Sequence, residues 1–157
     1  MKIVLVVMMM YAVLCFVTDI RSRQMYSLPA NVLGVIIVIL GEILKGTVDI
    51  RLIVIMVVSF IVFRLMSKFG VWGEGDSDYL FMLTQLIASI SVDYGILVFA
   101  VAELIIIAVS LILSVLIAFI ETKIKKEKFE KRFRAAALPG FCMVTEALCV
   151  VAWRIYE

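Results

Sequence analysis

Two aspartates, Asp19 and Asp76, have the residue type and the placement for acid and base chemistry at a membrane surface. Each stands at one end of an apolar run, and two further runs separate them, so an even number of membrane crossings puts both on one face. Like charges about 3 Å apart do not both ionise, so a close pair shares one proton and offers an acid and a base together. Such a pair can protonate a peptide carbonyl while it takes a proton from water, which is the chemistry of an aspartic protease.

Glycines surround the second aspartate in the motif Gly73-Glu74-Gly75-Asp76. Glycine admits backbone angles that other residues resist, and it would let a substrate strand approach the carboxylate closely. Asp76 also suits the start of a helix, where free amides and the positive end of the helix dipole favour carboxylates. Taken alone, the motif fits a glycine loop that caps the next helix better than a catalytic site, and Asp19 alone fits a charged helix end.

The elements that must position these aspartates are membrane helices. The chain has 157 residues, of which 65% are hydrophobic, and its mean hydropathy is +1.18. A soluble domain is nearer half apolar, because it needs a polar exterior. We therefore expect an integral membrane protein, all-α, folded as one helix bundle with a single domain over residues 1–157.

The apolar runs predict about six transmembrane helices. They cover residues 3–18, 31–44, 52–66, 79–92, 96–120 and 136–153. Reading residues 80–120 as one helix would give about 60 Å, twice the thickness of a bilayer core, so two helices joined by a tight turn at Asp93 and Gly95 are expected. The first run lacks a signal-peptide cleavage site and is expected to be a retained helix.

The basic residues predict the orientation. Residues 121–134 hold seven Lys/Arg against three Glu, so this loop should stay cytoplasmic and rest on anionic lipid headgroups as a topology anchor. Counting back one span at a time puts Asp19 and Asp76 on the cytoplasmic face. The expected location is the cell membrane, with several passes.

Several classes of chemistry are excluded. The chain has no histidine, which rules out a HExxH zinc protease, a Ser-His protease and a His-ligated haem. The three cysteines, Cys15, Cys142 and Cys149, form no CxxC pair and are expected to be apolar packing residues. We expect no cofactor, no metal ion and no nucleic-acid partner.

Three landmarks in order resemble the type IV prepilin peptidases. Residues 19–27, DIRSRQMYS, look like the D-x-R-x-R-x-I-P-N segment of that family, and residues 73–76 resemble its GxGD motif. Leu138-Pro139-Gly140-Phe141 is similar to the proline and phenylalanine that begin the family's last helix. The resemblance covers essentially the whole chain.

The resemblance implies that Asp19 and Asp76 are the catalytic pair of a GxGD-type aspartic protease, acting at the cytoplasmic face on the leader of a pilin-like precursor. Arg21, Arg23, Gly73, Gly75, Pro139 and Phe141 are the supporting motif residues that it implies. Larger members also carry a domain that methylates the new N-terminus. This chain resembles the short class, similar to peptidases of tight-adherence pili and to archaeal preflagellin peptidases, so proteolysis without methylation is expected.

Two departures from the family pattern concern substrate preference. Tyr26-Ser27 stands where the family usually has Pro-Asn, and Ser77-Asp78 replaces the more usual valine and lysine after GxGD. Neither departure touches the two aspartates.

Two glutamates, Glu103 and Glu146, lie well inside the fifth and sixth apolar segments, where a bare charge is costly. They are expected to be structural, hydrogen-bonded to each other or to Thr145, Ser110 or Ser114. The alternative function is a non-enzymatic membrane protein, either a small transporter that uses these glutamates as a charge relay or a pilus-assembly partner. The sequence does not predict the oligomeric state.

Overall fold

The computed structural model describes residues 1–22, 27–46, 48–125 and 137–156, which form six α-helices and one short 3-10 helix, without a β-strand. The helices are α1 (Lys2–Ser22), α2 (Ser27–Lys45), α3 (Ile50–Lys68), α4 (Glu74–Ser91), α5 (Ile96–Lys125) and α6 (Ala137–Ile155). The 3-10 helix, Val92–Tyr94, joins α4 to α5, and Gly95 follows it with a positive φ of 116°. The predicted tight turn is confirmed.

Local sequence explains where several helices begin and end. Pro29 and Pro139 both lie in the first turn of a helix, where a missing N–H breaks no helical hydrogen bond. Asp49 caps α3 by accepting a hydrogen bond from the Arg51 backbone N–H at 2.9 Å. Gly70 ends α3 with a left-handed φ of 71°, and the N–H of Val71 donates to the carbonyl of Met66 at 2.9 Å, which is a Schellman cap.

All six predicted helices are present, and each extends beyond its apolar run at one end or both, α4 and α5 by the most at a single end. α4 begins at Glu74 rather than at residue 79, and α5 continues to Lys125 rather than ending at residue 120. Polar residues disfavour hydrocarbon but still continue a helix, so the apolar run marks only the part that lipid can surround. The start of the predicted basic loop 121–134 therefore belongs to α5, and residues 126–134 lie outside the described residues.

The protein is a helical membrane protein, with four helices in the described ranges long and apolar enough to cross a bilayer. They are Lys2–Ile20, Ile50–Lys68, Ile96–Ile124 and Leu138–Ile155. The expectation of about six spans is met only in part: α2 has a shorter apolar stretch, Leu28–Leu44, and α4 is too polar. α4 differs because its sides pack against other helices, so it has little surface for lipid to meet.

α4 lies at the centre of the bundle. It packs most extensively against α2 and α3, and also against α6 and α5, while α6 packs against α1 and α5. Small residues allow the closest approaches: a Cβ added to Gly34 of α2 would lie 2.8 Å from the Phe81 ring of α4. A Cβ added to Gly140 of α6 would lie 2.0 Å from the Ser110 carbonyl oxygen of α5. These contacts fix α2 on α4 and α6 on α5.

Candidate active site

Asp19 lies in the last turn of α1 and is only 7% exposed. Tyr11, Cys15 and Asp19 follow one another at four-residue intervals, so they share one face of the helix. Tyr11 and Cys15 are buried as well. The face of α1 that carries Asp19 is therefore the face that packs into the protein.

Asp76 is the third residue of α4 and lies ahead of the apolar part of that helix, which begins at Tyr79. Its carboxylate accepts a hydrogen bond from the backbone N–H of Gly73, the residue that caps the helix. A Cβ at Gly73 would lie 3.2 Å from Asp76 Oδ2. Gly73 thus gives the carboxylate room beside the helix start.

The backbone reason expected for the two glycines was wrong. Gly73 has an ordinary φ of −64° and Gly75 lies within the first turn of α4, so neither position uses the backbone angles that only glycine adopts easily. At Gly73 the missing side chain matters because of space and not because of conformation.

The structure brings Asp19 and Asp76 within electrostatic reach of each other. The pKa of Asp76 is raised from its ordinary 3.8 to about 6, first because the carboxyl is buried and second because the negative charge of Asp19 lies nearby. The hydrogen bond from Gly73 acts in the opposite direction and lowers the pKa. Near pH 6 the pair therefore holds a proton that an isolated aspartate would have lost.

An aromatic contact supports the loop that leads to Asp76. Trp72 packs edge-on against Phe141, with ring centroids 6.2 Å apart, and Phe141 is completely buried. Pro139 is buried in the first turn of the same helix, α6. Phe141 thus holds the residue next to Gly73, a role that the resemblance alone did not specify.

A second aromatic contact, which was not predicted, lies on α4 one helical turn after Asp76. Tyr79 is completely buried and stacks on Tyr11 of α1, with centroids 6.2 Å apart and planes at 19°. The Tyr79 hydroxyl donates a hydrogen bond to Thr145 Oγ1 of α6 at 3.0 Å. Tyr79 therefore connects the helices of both aspartates to α6. The sequence signal was its position three residues after Asp76, on the same helix face.

Asp78, which stands where the resembling family usually has lysine, is almost completely buried and forms an ion pair with Arg64 of α3. Arg64 Nη2 lies 2.9 Å from Asp78 Oδ1, and the guanidinium also lies over the Phe60 ring at 5.4 Å from its centroid. A buried carboxylate needs a partner of this kind, and Arg64 supplies it. No sequence pattern predicted the pairing of Arg64 with Asp78.

The predicted partners of the two membrane glutamates were wrong. Glu103 Oε1 accepts a hydrogen bond from the Thr84 hydroxyl of α4 at 2.7 Å. Thr145 is bonded to Tyr79. The Ser114 hydroxyl accepts a hydrogen bond from the Gly140 backbone N–H at 3.1 Å. Oε1 of Glu146 is buried without a hydrogen-bond partner in the part of the chain that the structure describes.

Three predicted features are not described. Arg23 lies outside the described residues, as does most of the basic loop 121–134, and Arg21 is described only as part of α1. The cysteines are buried and free, as the sequence suggested. Among residues 1–22, 27–46, 48–125 and 137–156, no group of three His, Cys, Asp or Glu side chains is placed to hold a metal ion.

No protein-family model matches this chain, and neither a curated protein nor a solved structure is significantly similar to it.

Proposed function

We propose that this protein is a membrane aspartic endopeptidase that removes the leader peptide of type IV pilin-like precursors. The observation that carries the proposal is the pairing of Asp19 with Asp76, two carboxyl groups from different helices that influence each other at the edge of the bundle. A helix cap alone does not need a second carboxylate beside it, and like charges are costly to bring together. Catalysis by a shared proton gives a reason for that cost.

The chemistry needs one proton on the pair. The ionised carboxylate takes a proton from a water held between the aspartates, and the oxygen of that water forms a bond to the scissile carbonyl carbon. The protonated carboxyl gives its proton to the carbonyl oxygen, so the intermediate is a neutral diol. When the C–N bond breaks, the amine nitrogen takes a proton from one carboxyl of the pair while a diol hydroxyl gives its proton to the other carboxylate, and no covalent enzyme intermediate forms.

The pH dependence of cleavage follows from this scheme. Because the raised pKa of Asp76 is about 6, the pair loses its shared proton as the pH rises above that value. We expect cleavage to decline above about pH 6, which a pH-rate profile with purified protein in detergent would measure. The two apparent pKa values from that profile belong to the pair and not to one residue.

The resemblance and the basic residues complete the proposal. The aspartates face the cytoplasm of the cell membrane, the leader to be cut is basic and ends in glycine, and the apolar helix of the precursor stays in the bilayer. The excess of basic residues in segment 121–134 favours this orientation.

The decisive experiment is co-expression of a candidate precursor with the wild type, Asp19→Asn or Asp76→Asn, with the N-terminus of the product determined by mass spectrometry. The wild type should cut once, after the basic leader, and neither Asn variant should cut. Glu74→Gln, an exposed carboxylate in the same turn as Asp76, is the matched control and should cut normally. Cleavage by either Asn variant would disprove the assignment of the pair.

The same variants separate the peptidase from a transporter. A transporter that relays charge would lose activity in Glu103→Gln or Glu146→Gln and would tolerate Asn at positions 19 and 76. If properly folded wild type leaves several precursors uncut, the peptidase proposal fails and the transporter is the next function to test.

A further inference from the structure

A groove runs along the seam between α1 and α6 on one side of the bundle. One pocket, with a volume of about 230 Å³, is lined by Ala12, Val13, Phe16, Cys142, Met143 and Glu146. A second pocket, of about 360 Å³, lies farther along the same two helices and is lined by Met9, Val150, Trp153 and Arg154. The exposed side chains of Val13, Met143 and Val150 show that both pockets reach the surface of the bundle.

The residues that line the groove have the spacing that a docked helix requires. Met9, Val13 and Phe16 succeed one another by four and three residues along α1. On α6, Met143, Glu146, Val150 and Trp153 are separated by three, four and three. This alternation keeps side chains on one stripe of each helix and is the spacing of knobs-into-holes packing. The two stripes form the walls of a channel for a third helix.

Glu146 is the polar feature of this groove. It lies near the middle of α6, and its Oε1 is buried without a hydrogen-bond partner among the residues that the structure describes. A carboxyl group at this depth in a bilayer is costly unless a donor reaches it. A lipid chain that filled the groove would offer no donor, whereas a protein helix can bring one once the Glu146 side chain turns its carboxyl toward the groove.

The groove leads toward the aspartate pair. Cys142 lines its inner end and also contacts the side chain of Tyr79, the residue that lies one turn beyond Asp76. Phe16 lies one turn before Asp19 on α1. A helix that occupied the groove would therefore end close to the two carboxyl groups.

We infer that this groove binds the apolar transmembrane helix of the precursor, with Glu146 accepting a hydrogen bond from a polar side chain of that helix. The inference rests on the proposed function and adds to it the surface that holds the substrate in the membrane. The bound helix would present the peptide bond ahead of it to Asp19 and Asp76. Lipid and a second copy of this chain are the competing occupants.

Photo-crosslinking tests which occupant is present. The probe is a tagged precursor with a basic leader that ends in glycine, followed by an apolar helix of about 20 residues. Benzoylphenylalanine is incorporated at position 143 or 150 in the groove, or at the exposed control positions 104 and 112 on α5, all in an Asp76→Asn background that keeps the precursor uncut. We expect crosslinks to the tagged precursor from 143 and 150 but not from 104 and 112.

The outcomes distinguish this inference from the proposed function. If the wild type cuts the precursor but the groove positions link only to lipid or to a second copy, the docking inference is wrong and the peptidase stands. If groove-specific crosslinks form but the wild type cuts nothing, the groove is confirmed and the peptidase is wrong. If neither is seen, both fail.

Kinetics test the role of Glu146 separately. Glu146→Leu should raise KM by about three- to twentyfold, because hydrogen bonds between membrane helices have roughly that effect, and should leave kcat within about twofold. Glu146→Gln still accepts a hydrogen bond and should restore KM to near the wild-type value. An unchanged KM in the Leu variant, or a loss confined to kcat, would exclude Glu146 from substrate binding.

Discussion

α4 and α5 follow one another in the chain but lie in opposite environments. α4 is surrounded by other helices and carries polar side chains along most of its length. Those that are buried include Ser77, Asp78, Thr84, Gln85, Ser89 and Ser91. α5 is longer, more apolar, and exposed along most of its surface. The polar helix is inside and the apolar helix is outside, which reverses the arrangement of a water-soluble protein.

The difference shows what each environment requires. A helix that faces lipid must satisfy its backbone internally and present apolar side chains. A helix inside the bundle can carry polar groups, provided that neighbouring helices satisfy them. Ser59 of α3 accepts a hydrogen bond from Gln85 at 2.8 Å, and Glu103 of α5 accepts one from Thr84. Asp76 thus belongs to a helix whose surroundings are protein on several sides.

The largest effect is expected from a matched pair of side-chain truncations, one on each helix. Tyr79→Ala removes a buried ring, its stack on Tyr11 and its hydrogen bond to Thr145, so we expect the free energy of unfolding to fall by about 3–5 kcal/mol. Leu104→Ala on the exposed face of α5 should change it by less than about 0.5 kcal/mol. Unfolding of purified protein in mixed micelles measures both. Equal losses would contradict the contrast between the helices.

A similar pair of variants examines the side of α5 that does contact protein. Gly140→Ala would place a Cβ 2.0 Å from the Ser110 carbonyl oxygen, so α5 and α6 must separate, at a cost of about 1–3 kcal/mol. Gly41→Ala, whose Cβ would meet only the Met1 methyl group at 3.8 Å, should be neutral or stabilising. The same unfolding measurement applies. A harmless Gly140→Ala would mean that the two helices are not in close contact.

The acid at the start of α4 predicts a pH dependence of stability. The pKa of Asp76 in the folded protein, about 6, is raised above its ordinary 3.8, so its contribution to stability is fully present below pH 3.8 and is lost as the pH rises through 6. We expect this loss to be about 1–2 kcal/mol between pH 4 and pH 7.

Asp76→Asn should remove that part of the pH dependence. Glu74→Gln, at an exposed position, is the control and should keep the wild-type slope of the free energy of unfolding against pH. The measurement is unfolding as a function of pH for the three proteins. An Asn variant with the wild-type slope would show that Asp76 titrates as it does in water.

The smallest effect is expected from the hydrogen bond that joins the two helices. Thr84→Val removes the donor to Glu103 and should destabilise the protein by about 0.6 kcal/mol, the average for such bonds in membranes. Thr122→Val removes a hydroxyl that bonds only within α5, to the Phe119 carbonyl, and should have less effect. A double variant with Glu103→Gln would separate the pair energy from the two single effects.

Apolar runs were enough to predict the fold because lipid imposes a uniform requirement on every residue that faces it. The six helices and the turn at Gly95 follow from that requirement and from helix length. The positions at which α4 begins and α5 ends do not follow from that requirement, because Glu74 and Lys125 extend their helices past the hydrocarbon.

The contacts of the candidate site were harder to predict from the sequence than the helices were. Counting crossings predicted that Asp19 and Asp76 share a membrane face, and the structure places them within electrostatic reach of each other. The supporting contacts of Tyr79 with Thr145 and of Trp72 with Phe141 join residues that are far apart in the chain. No local pattern encodes such pairs, because they depend on how the helices rotate against one another. The partner of Glu103 was missed for the same reason.

The polarity of α4 also has a consequence for biogenesis. The insertion machinery releases a helix into the bilayer according to the apolarity of that helix, and α4 does not reach the level of the four candidate spans. α2 and α3, against which it packs most extensively, are synthesised before it. We therefore expect α4 to enter the membrane packed against α2 and α3, and α5 and α6 to pack on it afterwards. The order in which the helices are synthesised would then help to bring Asp19 and Asp76 together.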